Sequence, residues 1–429
     1  MPKFAHMSDC HIGAWRDEKL RNLNLQAFEK AIDVCIGENV NFIIISGDLF
    51  DTNIPNLYYV KRAVEKLKSA KNKGIDIYVV YGSHDYSPNT ISMVDVLEST
   101  ELFEKVSKGE YEDEELELQF FEDAQTGAKI TGLPGRKVGL EKEYFGSLDA
   151  ERLEREKGFK IFLFHTSITE MNPGYIPVGQ SIPISMFPKG FDYYAGGNIH
   201  KKTIGNFKDY PIVVYPGPLF ATDFRDLEDM ARGERRGFYI SEFDDTIKNT
   251  KFIEVKISEV IYQSIVADDR TANQTEEALL EKANALDLEG KIVLFRVSGT
   301  MTSGRPVDID FRRVKELVLD RGAVYANINR YALQSKERVE IKVKGERKSE
   351  IEERIFNERL YGFKIDPSIK SKKIRTILKN GLIGKHGTDL AHNLLNILKV
   401  EKREGETNTD FRSRVLKDLL EVTQLEDKA

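Results

Sequence analysis

The chain has 429 residues, of which 40% are hydrophobic and 31% charged, and its formal net charge is −6. This length allows two or three domains, and the negative charge excludes a protein that coats nucleic acid through bulk positive charge. No apolar run approaches the roughly 20 residues that cross a bilayer, and the two cysteines, Cys10 and Cys35, cannot form a disulfide framework, so we expect a cytoplasmic protein without a membrane partner.

Short apolar runs alternate with amphipathic segments from the start of the chain to about residue 240. The apolar spacing of residues 20–34 and 58–67 predicts helices. Strands that alternate with helices indicate a layered α/β core, and the later strands, which have no long helices between them, indicate mixed sheets. The predicted strands are residues 3–7, 42–45, 77–80, 117–121, 129–130, 161–164, 193–195, 212–215 and 238–240.

A smaller unit follows, which we place at residues 241–345. Its pattern predicts a strand pair within 252–266, helices at 276–285 and 307–319, and strands at 292–297 and 323–328. This order is typical of a small α+β domain of split-βαβ character. The charged run KVKGERKSEIEER then leads into a linker, which we place at residues 346–365.

The end of the chain, residues 366–429, contains three amphipathic segments that predict helices at 371–379, 388–399 and 409–423. So few residues bury little apolar surface by themselves. The helices are therefore either a cap packed on their own protein or a docking module for another protein, and we favour the docking module.

Five short motifs follow predicted strands, where open α/β sheets bind their ligands. Each is weak alone, because a lone histidine is usually an ordinary polar residue and a lone Gly-Asp is usually a turn. Four of the seven histidines, however, lie at such strand ends together with aspartates. The motifs are SDCHIG with Asp9 and His11, SGDLFD with Asp48 and Asp51, YGSHD with Ser83, His84 and Asp85, FLFHTS with His165, and GGNIH with Asn198 and His200.

This combination of side chains predicts a metal centre. Imidazole and carboxylate ligands without thiolate favour Mn²⁺, Fe or Zn²⁺ over a structural thiolate zinc site. One carboxylate with ligand sets on both sides suits a pair of ions about 3.5–4 Å apart, which can hold a phosphodiester and activate water.

The motifs resemble those of the calcineurin-like metallophosphoesterases. The strings FAHMSDCHIG, FIIISGDLFD, YYAGGNIHKK and VVYPGPLFATDF narrow the resemblance to the double-strand-break repair nucleases of the Mre (meiotic recombination eleven)/SbcD family. The motif resemblance covers residues 1 to about 240. It implies a layered metallophosphoesterase core with mixed sheets, a small capping domain, and a helical tail that binds a coiled-coil ABC-type ATPase.

The resemblance also implies roles for the motif residues. Asp9, His11 and His200 would hold one Mn²⁺, and Asp48 would bridge to a second. The second ion would be held by His165 and the residues at the Ser83 and Asn198 positions. His84 resembles the family's catalytic histidine, which is not a ligand, and Asp51 and Asp85 would have supporting roles.

Two residues depart from the family pattern, and both fall on the second ion. Ser83 replaces the asparagine of the usual GNHD motif, and Asn198 replaces the first histidine of the usual GHxH motif. A hydroxyl and an amide oxygen are weaker donors than imidazole, so we expect a tight first ion and a weak second one.

The resemblance implies an Mn²⁺-dependent exo- and endonuclease that processes double-strand breaks, nucleoid-associated in a prokaryote. Two alternatives stay open: a DNA-end scaffold with little catalysis, and a small-molecule phosphodiesterase or phosphatase. A homodimer would use the apolar faces of residues 58–68 and 93–97, although core packing explains those faces equally well. The candidate DNA contacts are Lys201, Lys202, Trp15, Arg136, Lys137 and Arg225.

Overall fold

A computed structural model describes residues 1–87, 91–112, 115–136, 141–177, 179–336, 385–403 and 408–423. The chain divides into two compact units, Met1–Lys336 and Glu337–Ala429. In these described ranges no helix combines the length and the apolar character needed to cross a membrane. The predicted linker at 346–365 and the predicted helix at 371–379 lie outside the described residues.

The first unit contains both strands and helices, and two helices are described in the second. The strands are β1 (Lys3–Met7), β2 (Phe42–Ser46), β3 (Asp76–Val80), β4 (Glu104–Lys105), β5 (Gly109–Glu112), β6 (Glu115–Leu118), β7 (Phe121–Glu122), β8 (Lys129–Leu133), β9 (Lys160–His165), β10 (Ser167–Ile168), β11 (Ser181–Ile182), β12 (Tyr193–Gly197), β13 (Thr203–Phe207), β14 (Tyr210–Tyr215), β15 (Gly237–Phe243), β16 (Ile247–Glu254), β17 (Val260–Val266), β18 (Ile292–Met301), β19 (Tyr325–Asn329) and β20 (Leu333–Ser335). The helices are α1 (Glu18–Gly37), α2 (Leu57–Lys71), α3 (Met93–Glu98), α4 (Glu141–Ser147), α5 (Ala150–Arg155), α6 (Phe224–Ala231), α7 (Ala272–Ala285), α8 (Phe311–Asp320), α9 (Lys385–Leu398) and α10 (Asn408–Thr423).

Two six-stranded mixed sheets form the centre of the first unit. The first has the order β16-β15-β1-β2-β3-β4 and the second has the order β13-β14-β12-β9-β8-β7. β1 to β4 run parallel, whereas β15 and β16 are antiparallel to their neighbours. The aromatic side chains Phe4 and Phe42 from the first sheet and Tyr193 from the second meet in one buried cluster. The predicted layered α/β core with mixed sheets is confirmed.

Helices α1 and α2 cover the outer face of the first sheet. α1 begins after Asp17, whose side chain accepts hydrogen bonds from the first-turn N–H groups of Lys19 and Leu20. The α2 residues Val60, Ala63 and Leu67 are buried in the core cluster of this face. Val94 and Leu97 of α3 lie in the same cluster. Most of the apolar residues that we considered for subunit pairing therefore pack in the core, whereas Tyr58 and Val96 of the same segments are exposed.

The small domain has a parallel sheet, and two details of its prediction are wrong. β17, β18 and β19 are neighbours in chain order and are joined by α7 and α8, so the βαβ units are consecutive and not split. The expected strand pair within 252–266 does not form, because β16 pairs with β15 of the first sheet and β17 pairs with β18. An alternating pattern identifies a strand but does not identify its neighbour.

In the second unit, helices α9 and α10 contact each other. They correspond to the predicted helices at 388–399 and 409–423. No residue of these two helices whose exposure is described is fully buried. Leu398 and Leu416 are more than half exposed, so the described part of this unit has no core of its own.

Candidate metal centre

The carboxyl ends of parallel strands bring the motif residues together. β1, β2 and β3 are adjacent and parallel in the first sheet, and β9 and β12 are adjacent and parallel in the second. His165 is the last residue of β9, and the loops that follow the other four strands carry the remaining motif side chains. Because the two sheets face each other, the five strand ends meet at one edge of the sandwich.

Three overlapping groups of carboxylate and imidazole ligands result. In each group the potential ligand atoms lie within 4.8 Å of one another: Asp9, His11 and His200; His11, Asp48 and His84; and Asp9, Asp48 and His165. Asp9 and Asp48 each belong to two groups. Two carboxylates, and not Asp48 alone, therefore lie between the histidines.

The loops hold these residues in backbone conformations that are uncommon for side chains with a Cβ. Asp9, His11, Asp48 and Asn198 have φ values of 51°, 43°, 51° and 83°, in the left-handed region. Such conformations persist only where the surrounding structure imposes them, and they cluster at functional sites. A Cβ on Gly82 would come within 2.0 Å of Asp48 Oδ1. Only glycine at this position therefore allows the loop after β3 to approach the Asp48 carboxylate.

The buried imidazole nitrogens test whether a cation fits. The Nε2 atoms of His11 and His165 lie 3.4 Å and 3.2 Å from Asp48 Oδ2. Neither nitrogen has an aligned hydrogen-bond partner within the described structure, although both are buried. A buried nitrogen lone pair beside a carboxylate is satisfied by a proton or a metal ion. The donors present therefore fit a divalent cation.

In His165 and His84, a carbonyl group holds the Nδ1 atom, which fixes the imidazole orientation. Nδ1 of His165 is 2.8 Å from the Ser46 carbonyl oxygen, and Nδ1 of His84 is 2.7 Å from the Asp51 carbonyl oxygen. A carbonyl only accepts, so each Nδ1 carries a hydrogen, and in the neutral ring each Nε2 has the lone pair. This is the arrangement that orients metal ligands and catalytic histidines.

Asp85 and Asp51 join neighbouring loops at the site. The carboxylate of Asp85 is buried and accepts hydrogen bonds from the N–H groups of Leu49, Phe50 and Gly82 at 3.0–3.1 Å. It thereby ties the Asp48 loop to the His84 loop. Asp51 Oδ1 lies 3.2 Å from Nδ1 of His11, without hydrogen-bond alignment.

A cleft of about 520 Å³ opens beside the centre and is lined by Ser83, His84, Tyr175, Asn198 and the two arginines Arg136 and Arg225. Arg225 stacks on Tyr175 with its guanidinium carbon 4.3 Å from the ring centre. Asn198 donates its amide Nδ2 to Ser167 Oγ at 2.9 Å, which leaves its Oδ1 as the atom that could bind a cation.

The remaining candidate DNA contacts differ in their surroundings. Lys201 is exposed. Lys202 pairs with Glu234 at 3.6 Å and lies over the Phe252 ring. Trp15 donates its indole N–H to the Ala221 carbonyl oxygen at 2.8 Å and packs edge-on against Phe224. Trp15 is thus already engaged within the fold, and Lys137 lies outside the described residues.

Sequence reasoning missed four residues that contact His200. Asp226 and Thr222 lie near its Nδ1, Arg236 donates to its carbonyl oxygen, and Tyr175 OH accepts its backbone N–H at 3.2 Å. Thr222 stands inside a string that carried the family resemblance, yet no spacing rule marks it or Asp226 as a neighbour of His200.

Known proteins with similar sequences agree with this geometry. Residues 2–202 match the family model for the calcineurin-like phosphoesterases. This part of the chain is a calcineurin-like phosphoesterase domain. The family consists of hydrolases that use divalent metals, and the carboxylate and imidazole groups of the domain supply suitable donors.

Curated relatives of the phosphoesterase domain extend the similarity along the chain. The chain is 27% identical to the DNA double-strand break repair protein Mre11 of Archaeoglobus fulgidus, over 89% of this chain and 86% of the relative. It is 25% identical to the Mre11 protein of Methanococcus maripaludis, over 65% and 73% of the two chains. It is also 25% identical to the uncharacterized metallophosphoesterase YhaO of Bacillus subtilis, over 52% and 50%. The predicted resemblance to the Mre/SbcD family is confirmed.

The buried carboxylates and histidines of the phosphoesterase domain shift one another's pKa values. Burial disfavours the charged form of His11 and His165. The charges and hydrogen bonds of Asp48, Asp51 and Asp9 together outweigh burial at His11 and raise its pKa to about 9. Asp48, Asp9 and the Ser46 carbonyl together raise the pKa of His165 to about 10. Burial likewise opposes ionisation of Asp48, yet the His165 and His11 rings hold its pKa well below the usual range. Burial and the Asp48 charge together raise the pKa of Asp85 to about 6.

Metal binding at this centre should release protons. Because the pKa values of His11 and His165 lie near 9 and 10, both metal-free rings are protonated at neutral pH, and a cation must displace those protons from Nε2. We expect the affinity for each Mn²⁺ to rise between pH 6 and pH 9 by up to about 10-fold per pH unit, because each ion displaces one of the two protons. Calorimetry in two buffers of different ionisation enthalpy counts the protons, and pH-independent binding without proton release would contradict this.

Proposed function

We propose that this chain is an Mn²⁺-dependent DNA nuclease that processes double-strand breaks with exo- and endonuclease activity. The observation that carries the proposal is the convergence of six side chains from five strand ends on one centre, at which Asp9 and Asp48 each serve two candidate ligand groups. These six side chains are Asp9, His11, Asp48, His84, His165 and His200.

Similarity beyond the phosphoesterase domain favours DNA as the substrate. The alignment with the archaeal DNA repair protein spans 89% of this chain, whereas the phosphoesterase match ends at residue 202. A phosphatase or small-molecule phosphodiesterase needs no small parallel-sheet domain and no separate helical unit. The arginines Arg136 and Arg225 in the cleft suit contacts to backbone phosphates. Lys201 and Lys202, which follow His200 in the chain, are further candidates for such contacts.

In this mechanism the ligands divide into two sets. Asp9, His11 and His200 would hold the first ion, Asp48 would bridge, and His165 with Ser83 and Asn198 would hold the second. When bound, the ions would polarise the phosphodiester and lower the pKa of the attacking water. The carbonyl contacts of His165 and His84 keep their Nε2 atoms directed at the centre without reorganisation during the reaction.

His84 would act on the leaving group. Its side chain is 47% exposed, lines the cleft, and lies edge-on to the His11 ring with the ring centres 4.7 Å apart. Its Nδ1–H donates to the Asp51 carbonyl oxygen, so Nε2 remains available to the substrate. A histidine in this position can stabilise developing charge or deliver a proton to the leaving oxygen.

Ser83 and Asn198 would make the second ion weak. They offer neutral oxygens where the family motif has amide and imidazole donors. Replacing a residue that only hydrogen-bonds to a metal ligand typically lowers affinity or activity by about 10–100-fold. Changes in the ligands themselves should cost at least as much. Asp9 lies close enough to Asp48 and His165 to contribute to this ion, and such sharing would offset part of the loss.

Restoring the family donors should strengthen the second ion. In the double variant Ser83→Asn and Asn198→His, we expect the second Mn²⁺ to bind at least about 10-fold more tightly, because imidazole is the stronger donor. The first ion should be unaffected. Calorimetric titration measures both affinities, and Asn249→His on exposed strand β16 is the matched control. Two equally tight ions in the unmodified chain would contradict the weak-site proposal.

Substrate class is tested by comparing DNA with a phosphomonoester. We expect the chain to cleave end-labelled double- and single-stranded DNA in Mn²⁺ and to hydrolyse p-nitrophenyl phosphate slowly. The opposite preference would favour the phosphatase alternative. Negligible cleavage of either substrate, with DNA binding intact, would favour the DNA-end scaffold, the alternative that Ser83 and Asn198 support.

We further propose two protein partners. A second copy would pair through exposed apolar residues near α2 and α3, since Ile54, Leu57 and Tyr58 are more than half exposed and Val96 is 47% exposed. Two-fold pairing would set two sites toward two DNA ends. Light scattering that finds only monomers at micromolar concentration would contradict the dimer.

The helical unit is the proposed docking module for a coiled-coil ABC-type ATPase. Helices α9 and α10 lack buried side chains in their described parts and expose Leu398 and Leu416, as expected of helices that gain a core by binding. Failure of residues 366–429 to co-purify with such an ATPase would contradict this assignment. The cytoplasmic, nucleoid-associated location stays a prediction.

A further inference from the structure

A buried carboxylate lies behind His200, on the side opposite the proposed ion. Asp226 is 1% exposed, and its Oδ2 is 3.0 Å from Nδ1 of His200. On the other side of the same ring, Nε2 lies 3.9 Å from Asp9 Oδ1. The ring therefore connects a fully buried aspartate to an aspartate of the metal centre.

Asp226 is fixed from every side by donors. Thr222 donates both its backbone N–H, at 3.0 Å, and its hydroxyl, at 2.9 Å, to Oδ2. Arg236, which is 4% exposed, donates Nη2 to Oδ1 at 2.9 Å. The same guanidinium donates Nη1 to the backbone carbonyl oxygen of His200. Both the ring and the backbone of His200 are thus tied to one Asp–Arg pair.

Residue 226 is positioned by a helix of eight residues that begins beside the site. Helix α6 begins after Asp223, whose side chain accepts the backbone N–H of Asp226 at 2.9 Å. Asp226 therefore points from the first turn of α6 toward His200. The histidines His165 and His84 instead use backbone carbonyl oxygens at Nδ1, so among these three histidines His200 alone is held by a carboxylate.

We infer that Asp226 is a positioning residue that fixes the Nδ1–H tautomer of His200 and strengthens its Nε2 as a metal donor, with Arg236 and Thr222 holding the carboxylate in place. This inference rests on the proposed metal-dependent function. A carboxylate can only accept at Nδ1, so the hydrogen stays there and the Nε2 lone pair faces the ion. The negative charge also makes the ring a stronger donor.

The variant Asp226→Asn keeps the shape of the side chain at residue 226 but removes its charge and changes its hydrogen bond to the His200 ring. Arg236 and the Thr222 backbone N–H are both donors, at Oδ1 and Oδ2, so the asparagine NH₂ must face one of them. A buried guanidinium without an acceptor costs more than a neutral N–H without one. We therefore expect the asparagine oxygen to face Arg236 and the NH₂ to face His200 Nδ1. This reverses the hydrogen bond and moves the ring hydrogen to Nε2. We expect the tighter Mn²⁺ to bind about 10–100-fold more weakly, while the weaker Mn²⁺ is unchanged.

The experiment combines Mn²⁺ calorimetry with histidine ¹⁵N spectra of the metal-free chain, at a pH where the His200 ring is neutral. In the unmodified chain the His200 spectrum should report hydrogen on Nδ1, and in Asp226→Asn on Nε2, with His84 unchanged in both. Asp123→Asn is the matched control. Asp123 is also buried, and its carboxylate accepts hydrogen bonds from the Tyr78 hydroxyl and the Thr126 backbone N–H. Melting temperatures without metal report whether each variant is folded.

The outcomes separate this inference from the proposed function. If Asp226→Asn is folded and retains the unmodified Mn²⁺ affinity, or keeps hydrogen on Nδ1 of His200, the positioning role is overturned. If Asp123→Asn weakens Mn²⁺ binding as much, the effect is general destabilisation and the role is also overturned. If the unmodified chain binds no Mn²⁺ but the His200 tautomer changes in Asp226→Asn, the proposed metal-dependent function is contradicted. The inference that Asp226 sets the tautomer of His200 is then still supported.

Discussion

Replacing Asp48 with asparagine is expected to weaken the binding of both Mn²⁺ ions by at least about 100-fold and to slow the cleavage of DNA by at least as much. This loss exceeds that expected when a residue that only hydrogen-bonds to a ligand is replaced. Asp48 Oδ2 lies between Nε2 of His11 and Nε2 of His165, at 3.4 Å and 3.2 Å. It is the proposed bridge, so both ions lose a charged donor. Its Oδ1 accepts the backbone N–H of His84 at 2.8 Å, a contact that asparagine can retain through its oxygen.

The same variant should change the metal-free site. Without the Asp48 charge, burial is opposed by fewer groups, so the pKa values of His11 and His165 should fall from about 9 and about 10 toward the ordinary value of 6.5. NMR titration of the histidine rings measures this shift, and Asp123→Asn serves again as the buried control. Retained binding of two ions by Asp48→Asn would show that Asp48 does not bridge.

Replacing His84 with alanine is expected to lower DNA cleavage by about 100- to 10,000-fold, the range of general acid–base contributions, with Mn²⁺ affinity unchanged. Nearly half of the His84 side chain is exposed, so its removal creates no buried cavity. Single-turnover cleavage of labelled DNA measures the loss, and DNA binding by the variant excludes a defect in association.

The Mn²⁺ titration of His84→Ala decides between two roles. The His84 ring is also near enough to His11 and Asp48 to share an ion with them. A variant that loses cleavage and keeps both ions supports the role at the leaving group. A variant that loses an ion as well would make His84 a ligand and would contradict the catalytic assignment.

The arrangement of the centre could be predicted from the sequence because each of its residues follows a strand that can be identified by itself. Buried parallel strands have near-continuous apolar sequences, and their carboxyl ends meet at one edge of the sheet. Residues Asp9, Asp48 and His84 follow three such strands, so their meeting could be expected without coordinates. The charged donors at strand ends then indicated the cation.

Contacts between distant elements could not be predicted in this way. Asp226 lies on α6, 26 residues beyond His200, and its burial depends on Arg236 from the segment before β15. The partner of β16 was missed because an alternating pattern does not show whether a strand pairs with β15 or with β17. The burial of Val60 and Leu67 in α2 likewise depends on the sheet beneath the helix.

Anomalous diffraction from crystals of the chain soaked in Mn²⁺ tests the central claim most directly. The account predicts one strong anomalous peak bounded by Asp9, His11, Asp48 and His200. It predicts a second, weaker peak beside Asp48 and His165 that strengthens as the Mn²⁺ concentration rises. An absence of anomalous density between Asp48 and His200 at saturating Mn²⁺ would contradict the metal centre and the nuclease proposal with it.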